Sequence, residues 1–389
     1  MAWGRLAYSD PMRVLVVGAG VIGVAVAEAL AAGGAEVTVI EMRSPGRGAS
    51  QASAGVLAPY TEAHGKTTLL ELCARSLGQF DQFLSTVRER SGRAVEYSRT
   101  GTIEVALTAA EAIPLQAAHA WLNNAGIASE WMNAGQLRSI EPAVSPSAVG
   151  GLLIGAHGFV QVSALVAALV QSARFGGATF ESPVEAVGID PRKAHVDVRA
   201  GARSYQADHV VVAAGSWSRR VRVAGQPVLP VRPIRGQLLH LTWAGGAPPA
   251  RIVWGSRCYT VPWTDGSLLV GATVEDVGFD EASTVDGVRA LTDAIAELLP
   301  GSRAAAVNEV RVGLRPETPD GLPIIGASAA APNVTFATGH YRNGILLTPL
   351  TAELVSRYVL EGAIDPAMAA TSPDRFGRAA AALKTGART

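Results

Sequence analysis

The chain reads, near its start, Arg13-Val14-Leu15-Val16-Val17-Gly18-Ala19-Gly20-Val21-Ile22-Gly23, and it continues to Val37-Thr38-Val39-Ile40-Glu41. The apolar run 14–17 is typical of a strand that is buried on both faces of a parallel sheet. Gly18, Gly20 and Gly23 have G-x-G-x-x-G spacing, which permits a tight turn, close approach of the backbone to a pyrophosphate, and close helix–strand packing. We therefore predict a dinucleotide-binding strand–turn–helix unit.

The residues after this turn continue the pattern. Residues 24–32 are rich in alanine, as expected of a helix on a sheet, and the run 37–40 predicts a second strand. That strand ends in Glu41, about 20 residues after the turn, where a carboxylate can accept hydrogen bonds from both ribose hydroxyls. The alternatives are a turn in an unrelated α/β protein and a membrane span over 14–32. The glycine spacing and the lack of a basic flank argue against both.

Composition predicts a compact globular protein of two domains, because the chain has 389 residues, 48% of them hydrophobic and 17% charged. The formal net charge is zero, which argues against nucleic acid or an anionic membrane surface as a partner. The two cysteines form no disulfide framework, and no signal-peptide pattern is visible in the first ten residues. We therefore expect a cytoplasmic protein without membrane insertion. The scattered histidines and the lack of a Cys-x-x-Cys motif predict no metal site.

Small residues dominate the segment 43–56, which shows no helical or strand periodicity. Such a segment either is a flexible loop or lies flat against a ligand, and Arg47 and Ser50 are candidates for phosphate contacts. Together with Glu41, the stretch ending in Ala54-Gly55 resembles the FAD-dependent amino-acid and amine oxidases of the D-amino-acid oxidase type. In that family a loop of this kind wraps the flavin. The resemblance implies FAD rather than NAD.

Two motifs near the end of the chain make the resemblance more specific. They are Val312-Gly313-Leu314-Arg315-Pro316 with Thr318-Pro319-Asp320-Gly321-Leu322-Pro323-Ile324-Ile325-Gly326, and Gly339-His340-Tyr341-Arg342-Asn343-Gly344-Ile345-Leu346-Leu347. A strand that feeds the second motif into a helix would direct backbone N–H groups at a ligand. The pair is similar to the glycine oxidase branch of the family, over residues 12–375. That branch supplies the glycine imine for thiamine thiazole synthesis. A shorter piece, Leu137-Arg138-Ser139-Ile140-Glu141-Pro142, is common in these oxidases.

The predicted fold is α/β plus α+β, with a Rossmann-like FAD-binding domain built on a parallel sheet and a substrate domain built on a mostly antiparallel sheet. The FAD-binding domain is expected to be discontinuous, over 12–90, 157–227 and 312–376, and the substrate domain to comprise 91–156 and 228–311, with loose tails at 1–11 and 377–389. We expect Ser163 to cap a helix, Val184 to lie on a strand, and residues 258–273 to form a hairpin over the flavin.

An amino-acid oxidase must hold the substrate carboxylate, and arginine is the best planar match for it. Arg315 is our candidate, with a surface salt bridge as the alternative. Tyr259 is predicted to add a hydroxyl contact, unless it is a plain core tyrosine. Arg342 matches the second arginine of the family, close to flavin and substrate, with a helix-end contact as its structural alternative. We expect these three residues to form the catalytic centre.

The chain departs from the glycine oxidase pattern around the pocket. Arg257 stands where the best-matching enzymes carry histidine, and Val56 and Val274 replace methionines. An added cation and smaller walls favour a substrate that is bulkier or more acidic than glycine, although Arg257 could equally point to solvent. His340 is expected to complete the pocket. No counterpart of the flavin-linking cysteine of sarcosine oxidases follows Arg315, so FAD is expected to be non-covalent.

The resemblance implies a set of residues around FAD. They are Gly18, Gly20, Val21, Ile22, Gly23, Glu41, Met42, Arg47, Ala49, Ser50, Ala54, Gly55, Val56, Val184, Ala214, Gly215, His340, Tyr341, Arg342, Asn343, Gly344, Ile345 and Leu346. Hydride transfer from the Cα of a neutral amine needs no general base, and the imine hydrolyses to a 2-oxo acid and ammonia. Molecular oxygen would yield hydrogen peroxide. The alternatives are a quinone-dependent D-amino-acid dehydrogenase and a flavoprotein subunit that needs a partner chain. The resemblance also implies a homo-oligomer.

Overall fold

The computed structural model describes residues 11–61, 65, 67–185 and 187–377, so the predicted tails lie, apart from residues 11 and 377, outside the described residues. The helices are α1 Val21–Ala32, α2 Thr68–Ser91, α3 Ala109–Asn124, α4 Ala134–Ile140, α5 Val162–Phe175, α6 Val285–Leu298, α7 Thr348–Glu361 and α8 Pro366–Thr371. The strands are β1 Arg13–Val17, β2 Glu36–Ile40, β3 Val56–Leu57, β4 Tyr97–Ser98, β5 Thr102–Ala106, β6 Glu130–Asn133, β7 Gly150–Ile154, β8 Gly158–Val160, β9 Thr179–Glu181, β10 Val187–Pro191, β11 Val196–Ala200, β12 Arg203–Ala207, β13 His209–Val212, β14 Arg222–Val223, β15 Arg232–Thr242, β16 Ile252–Trp254, β17 Tyr259–Pro262, β18 Ser267–Gly271, β19 Ala306–Glu317, β20 Ile324–Ser328 and β21 Ala331–Thr338.

A parallel sheet forms the centre of one half of the molecule. Within the described residues its strand order is β20-β21-β13-β1-β2-β9, and only the β20–β21 pair is antiparallel. Alternate side chains of β1 face opposite sides of this sheet, as the period of a strand requires: Val14 and Val16 join one apolar cluster, and Leu15 and Val17 join another. The sheet is therefore buried on both faces, which confirms the prediction from the valine-rich run.

Different elements cover the two faces of the parallel sheet. Helices α1, α2, α5 and α7 pack on one face, where Phe80 and Leu84 of α2 are almost fully buried. A smaller sheet with the order β12-β11-β10-β14 packs on the other face. The fold around the glycine turn is therefore a three-layer α/β arrangement.

A second, mostly antiparallel sheet forms the other half. Its order in the described chain is β19-β15-β18-β17-β16-β5-β7-β6, with β16–β5 as its parallel pair. Strands β17 and β18 form the expected hairpin, with Pro262 opposite Leu268. Helix α6 packs on one face of this sheet through Leu291, Ile295 and Leu298. The predicted fold class, α/β plus α+β, is confirmed.

Two local predictions were wrong. Ser163 does not cap helix α5, because the helix begins at Val162 and its N-cap is Gln161. Val184 does not lie on a strand; it occupies the connection between β9 and β10 and donates its backbone N–H to the Glu41 carbonyl at 2.9 Å. No helix among the described residues is long and apolar enough to cross a membrane.

Glu141, which follows α4, is a buried carboxyl group at the rim of the second sheet. Its side chain is 1% exposed, and its two oxygens accept the Ala250 backbone N–H at 3.1 and 3.2 Å. Burial raises the pKa of Glu141 to about 7, although the Ala250 N–H and the charge of Arg251 oppose this shift. The ionised carboxylate is therefore disfavoured in the folded protein.

We predict that Glu141→Gln stabilises the protein at pH 8 and not at pH 4. The pKa of Glu141 is raised on folding, so the neutral carboxyl contributes stability that is fully present below the unfolded pKa, near pH 4.5, and is lost as the pH rises to about 7. The gain at pH 8 should be about 1–3 kcal/mol, since one pKa unit corresponds to ~1.4 kcal/mol. Thermal or urea unfolding across pH 4–8 measures it.

The matched control is Glu130→Gln, because Glu130 is exposed at the start of β6. Its substitution should change the unfolding free energy equally little at both pH values. A Glu141→Gln variant that is no more stable than the parent at pH 8 would show that the ionised carboxylate is accommodated without penalty.

Candidate active site

A long cavity of about 940 Å³ lies between the parallel sheet and the antiparallel sheet. On one side, the carboxyl ends of four parallel strands (β1, β2, β13 and β21) meet at the same sheet edge, where ligands bind in open α/β sheets. On the other side, β17, β18 and β19 contribute Tyr259, Gly271 and Arg315. The cavity therefore joins a nucleotide-type cleft to a wall of the second sheet.

The turn after β1 depends on glycine. Gly18 has φ +106°, and a Cβ on it would lie 2.6 Å from the Ala213 carbonyl oxygen. A Cβ on Gly23 would lie 2.0 Å from the Gly18 carbonyl oxygen. Larger residues at these positions would separate β1 from α1 and β13. The first and third glycines of the motif thus serve packing, and Gly20 lines the cavity.

Glu41 is fixed by the backbone around it. Its Oε2 accepts the Ala19 N–H at 2.6 Å, and its Oε1 accepts the Arg43 N–H at 2.8 Å. Each carboxylate oxygen has two acceptor positions, so each can accept one further hydrogen bond. This geometry suits a vicinal diol, because two hydroxyls can each donate to a different oxygen.

A tight turn after β21 forms the middle of the cavity wall. Tyr341 has φ +47°, in the left-handed region that non-glycine residues rarely occupy and that is concentrated at functional sites. His340 is 4% exposed and its Nε2 lies 3.0 Å from Thr351 Oγ1. Burial lowers the pKa of His340 to about 3, so its ring is neutral. Ser76 of α2 donates to the Leu346 carbonyl at 2.6 Å and fixes the far side of the turn.

Arg315 is a cation of the cavity wall that lies on β19. Its Nη1 donates to the Thr273 carbonyl at 2.9 Å, and within the described chain it forms no ion pair. Burial lowers the pKa of Arg315, which remains charged. A Cβ on Gly236 would lie 2.3 Å from a guanidinium nitrogen of Arg315, so glycine at this position of β15 leaves room for the guanidinium.

Tyr259 lies beside Arg315 in the same wall. It faces Gly271 across the β17–β18 hairpin, and a Cβ on Gly271 would lie 2.6 Å from the Tyr259 hydroxyl oxygen. Trp254 stacks on the Tyr259 ring at 4.6 Å. Burial raises the pKa of Tyr259, and the charges of Arg315 and Arg342 oppose this only in part. The hydroxyl is therefore protonated, and two guanidinium groups lie near it.

The cavity mouth carries the residues that depart from the glycine oxidase pattern. Val56 and Val274 line it, and Val274 is 53% exposed. Arg257 also lines the cavity, but its side chain is 56% exposed and forms an ion pair with Glu297. The structure therefore places Arg257 at the mouth with its charge balanced by a carboxylate of α6.

Most of the predicted site residues line this one cavity. They are Gly18, Gly20, Val21, Ile22, Glu41, Met42, Ala49, Ser50, Val56, Val184, Ala214, Gly215, Arg257, Tyr259, Val274, Arg315, His340, Tyr341, Arg342, Asn343, Gly344, Ile345 and Leu346. Four do not: Gly23, Arg47, Ala54 and Gly55. Arg47 is exposed and its Nη1 lies 3.3 Å from the Gln51 side-chain oxygen, and a Cβ on Gly55 would lie 1.8 Å from the Val160 carbonyl oxygen. Gly23, Ala54 and Gly55 therefore pack behind the cavity wall, and Arg47 lies at the protein surface.

Sequence reasoning missed three aromatic or charged wall residues. Arg43 lies over the Trp217 ring at 5.0 Å, and both line the cavity. Trp217 belongs to the Ala-Ala-Gly-Ser-Trp-Ser stretch after β13, which was a signal in the sequence. Trp254 gives no comparable signal, because only the sheet order places β16 next to β17.

A dinucleotide-type cleft that opens onto a wall carrying Tyr259 and Arg315 is the arrangement expected of a flavin-dependent oxidoreductase. The comparison with known proteins gives the same class. The family model for FAD dependent oxidoreductases (DAO) matches residues 13–358. The chain belongs to this family.

Among relatives, the glycine oxidase of Geobacillus kaustophilus is 32% identical over 349 residues, which cover 89% of this chain and 92% of that protein. Its crystal structure has a TM-score of 0.87 and covers 93% of this chain and 98% of that chain at 31% identity. The bifunctional protein ThiO/ThiG of Synechocystis is 33% identical over 93% of this chain. The chain spans about half the length of that relative (54%). The predicted family membership is confirmed.

A further structural neighbour is the iminodiacetate oxidase of Chelativorans sp. BNC1. Its TM-score is 0.83, with 26% identity and coverage of 93% of this chain and 99% of that chain. The TM-scores and coverages show that these two neighbours share the fold of this chain over most of its length.

The residues present fit FAD. The glycine turn leaves backbone close to the cavity, Ser50 Oγ accepts the Val21 N–H at 3.0 Å, and Glu41 has acceptor capacity left for a ribose. A phosphate at the start of α1 would be favoured by the backbone N–H groups there. The use of FAD, predicted from the resemblance, is confirmed by the family.

We predict that Glu41→Gln weakens FAD binding. The amide nitrogen of glutamine cannot accept a hydrogen bond, so one of the Ala19 and Arg43 N–H groups or a ribose hydroxyl loses its acceptor. The dissociation constant should rise by about ten- to a hundredfold, since hydrogen bonds to charged groups contribute ~1.5–3 kcal/mol. Quenching of FAD fluorescence by apoprotein measures it.

Glu36→Gln is the matched control, because Glu36 is exposed at the start of the same strand. An unchanged FAD affinity in Glu41→Gln would mean that the ribose binds elsewhere in the cavity.

Proposed function

We propose that this protein oxidises a small amino acid or amine, with glycine as the first candidate, to an imine that hydrolyses to a 2-oxo acid and ammonia. The observation that carries the proposal is Arg315. It is a partly buried guanidinium on the cavity wall with one hydrogen bond, to a carbonyl, and no ion pair among the described residues. Burying a charge without a partner costs several kcal/mol. A substrate carboxylate would relieve that cost with bidentate geometry.

Tyr259 and Arg342 support the same assignment. The raised pKa of Tyr259 keeps its hydroxyl protonated, so it can donate a hydrogen bond to the carboxylate at neutral pH. The charge of Arg342 acts on both Tyr259 and Arg315, which adds positive potential at this end of the cavity. These groups would fix the substrate by its carboxylate and leave its Cα–H bond to point along the cavity.

The described wall offers no strong base beside Arg315. Its carboxylates are Glu41 and Glu185, at the far end near β2, and the His340 pKa of about 3 makes that ring a weak base. Bound FAD supplies the two-electron acceptor of the reaction. The chain supplies orientation and charge, and a neutral amine needs no proton removed before the Cα–H bond breaks. Molecular oxygen as the second substrate would yield hydrogen peroxide.

The cysteines support non-covalent FAD. Cys73 and Cys258 line the cavity, and burial raises the pKa of each thiol to about 12. The thiolate is the nucleophilic form, so neither cysteine is activated for a covalent flavin link. Yellow colour that stays in the supernatant after acid precipitation would agree with this.

A larger or more acidic amine is the second candidate substrate. The open mouth at Val274 favours it, as does the likeness to a protein described as an iminodiacetate oxidase. Iminodiacetate is a glycine with a second carboxymethyl group on nitrogen. We further propose that glycine-derived imine is used in thiamine thiazole synthesis, which the resemblance to the glycine oxidase branch supports.

Anaerobic reduction of the bound flavin tests these proposals. Purified protein is mixed without oxygen with glycine, sarcosine, iminodiacetate, D-alanine, D-proline or D-aspartate, and the visible flavin band is recorded. Bleaching identifies the substrate, and recovery on admission of air separates an oxidase from a quinone-dependent dehydrogenase. Bleaching by glycine at the highest kcat/KM supports the first candidate, and a higher value for iminodiacetate supports the second. No bleaching by any compound contradicts the proposal and favours a subunit that needs a partner chain.

We predict that Arg315→Gln lowers kcat/KM for the substrate by about a hundred- to several-thousandfold, since breaking a buried charge pair costs ~3–5 kcal/mol. Tyr259→Phe removes one hydrogen bond and should lower kcat/KM about tenfold. Steady-state kinetics and the flavin content of each variant measure these effects.

Arg311→Gln is the matched control on the same strand, because Arg311 pairs with Glu309 near the protein surface. If Arg315→Gln retained kcat/KM within a few-fold of the parent, Arg315 would not be the carboxylate-binding residue.

A further inference from the structure

A buried polar network lies behind Arg315, on the other face of β15. Successive strand residues face opposite sides of a sheet. Gly236 faces the Arg315 guanidinium, whereas Arg235 and Gln237 point away from it into the network. Arg235 is 3% exposed and Gln237 is fully buried. Neither residue lines the cavity.

Glu275 is the centre of this network. Its Oε2 accepts two hydrogen bonds from Arg235, from Nε at 3.1 Å and from Nη2 at 2.5 Å. Its Oε1 accepts from the Thr273 hydroxyl at 2.6 Å and from Gln237 Nε2 at 2.8 Å. Burial raises the pKa of Glu275, but the hydrogen bonds from Thr273, Arg235 and Gln237 outweigh burial and hold the pKa below its usual range. Glu275 is therefore a fixed negative charge.

Thr273 connects this charge to the cavity. Its hydroxyl donates to Glu275, and its carbonyl accepts the single hydrogen bond that Arg315 makes with the described chain. The charge of Glu275 also acts on Arg315 directly. The charge of Glu275 thus acts on two cations, the buried Arg235 and the partly buried Arg315, and only Arg235 pairs with it.

We propose that Arg235 is a positioning residue: it binds Glu275 on the far face of β15 and thereby keeps Arg315 unpaired for the substrate carboxylate. This inference rests on the proposed function of Arg315. Glu275 is only 23% exposed, and a carboxylate largely withdrawn from water requires a partner. Arg235 donates two hydrogen bonds to Glu275 Oε2 and is itself held by an ion pair with Asp280 at 2.6 Å. Glu275 therefore does not require Arg315 as a second partner.

Without Arg235, Glu275 would pair with Arg315 instead. In Arg235→Met, the Oε2 atom loses both guanidinium donors, and the charge of Glu275 still acts on Arg315, a cation that has no carboxylate partner in the described chain. An ion pair between Glu275 and Arg315 would then compete with substrate. Removing the charge of Glu275 as well should release Arg315 again. A network that acts only as structural support predicts the opposite, since the double variant would lose more contacts than either single one.

The experiment measures acetate binding to the FAD-loaded protein, from the change that this simplest carboxylate causes in the flavin spectrum. We expect Arg235→Met to raise the acetate dissociation constant about tenfold or more, within the range measured for close charge pairs. Glu275→Gln should bind acetate as tightly as the parent or more tightly, and Arg235→Met/Glu275→Gln should recover most of the lost affinity. Arg232→Met is the control: this exposed arginine on the same strand pairs with Glu317 and Asp276, and its substitution should leave the constant unchanged.

The outcomes separate the two proposals. If the parent does not bind acetate, or if Arg315→Gln binds it as the parent does, the proposed role of Arg315 fails. If Arg315→Gln loses binding but the double variant binds no better than Arg235→Met, the positioning role of Arg235 is overturned. Should Arg235→Met not fold, Glu275→Gln decides alone: acetate binding weakened tenfold would overturn the inference, and unchanged or tighter binding would support it.

Discussion

The partial burial of the positive charge of Arg315, without a carboxylate partner in the described chain, is the constraint on which the substrate end of this molecule depends. A guanidinium can be held away from water only where the chain leaves space for it and directs no carboxylate at it. Gly236 supplies the space, and the Thr273 carbonyl supplies one hydrogen bond. The rest of the fold offsets the free-energy cost of this arrangement, which under the proposed function would be recovered when a substrate carboxylate binds.

The cofactor end of the cavity depends on local geometry, and the sequence alone was sufficient to predict its strand–turn–helix unit. Gly18, Gly20, Gly23 and Glu41 are close in sequence, and their roles follow from the local geometry of one strand–turn–helix–strand unit. The valine-rich run of β1 is buried on both faces because the parallel sheet is covered on both sides. Local pattern and tertiary structure agree here, which is why the fold class could be predicted correctly.

The substrate end could be predicted only in part. Arg315 and Tyr259 could be proposed from the sequence, and both line the cavity, but their surroundings depend on residues far apart in the chain. Strand β15 pairs with β19 and β18, and this pairing alone brings Arg235 close to Glu275. No spacing or periodicity reveals such a contact. The same holds for Arg257, whose ion pair with Glu297 of α6 depends on how a helix lies over the sheet.

The packing of Gly313 has a consequence for how the protein is made. A Cβ on Gly313 would lie 2.8 Å from the Ala52 Cβ, so β19 rests directly on the 49–52 turn, although the two segments lie near opposite ends of the chain. During synthesis, the ribosome releases the glycine turn and Glu41 long before it releases β19. The cleft also needs β21, which follows Arg315 in the chain, so a nascent chain completes its nucleotide cleft only after the cation that would select the substrate has been translated.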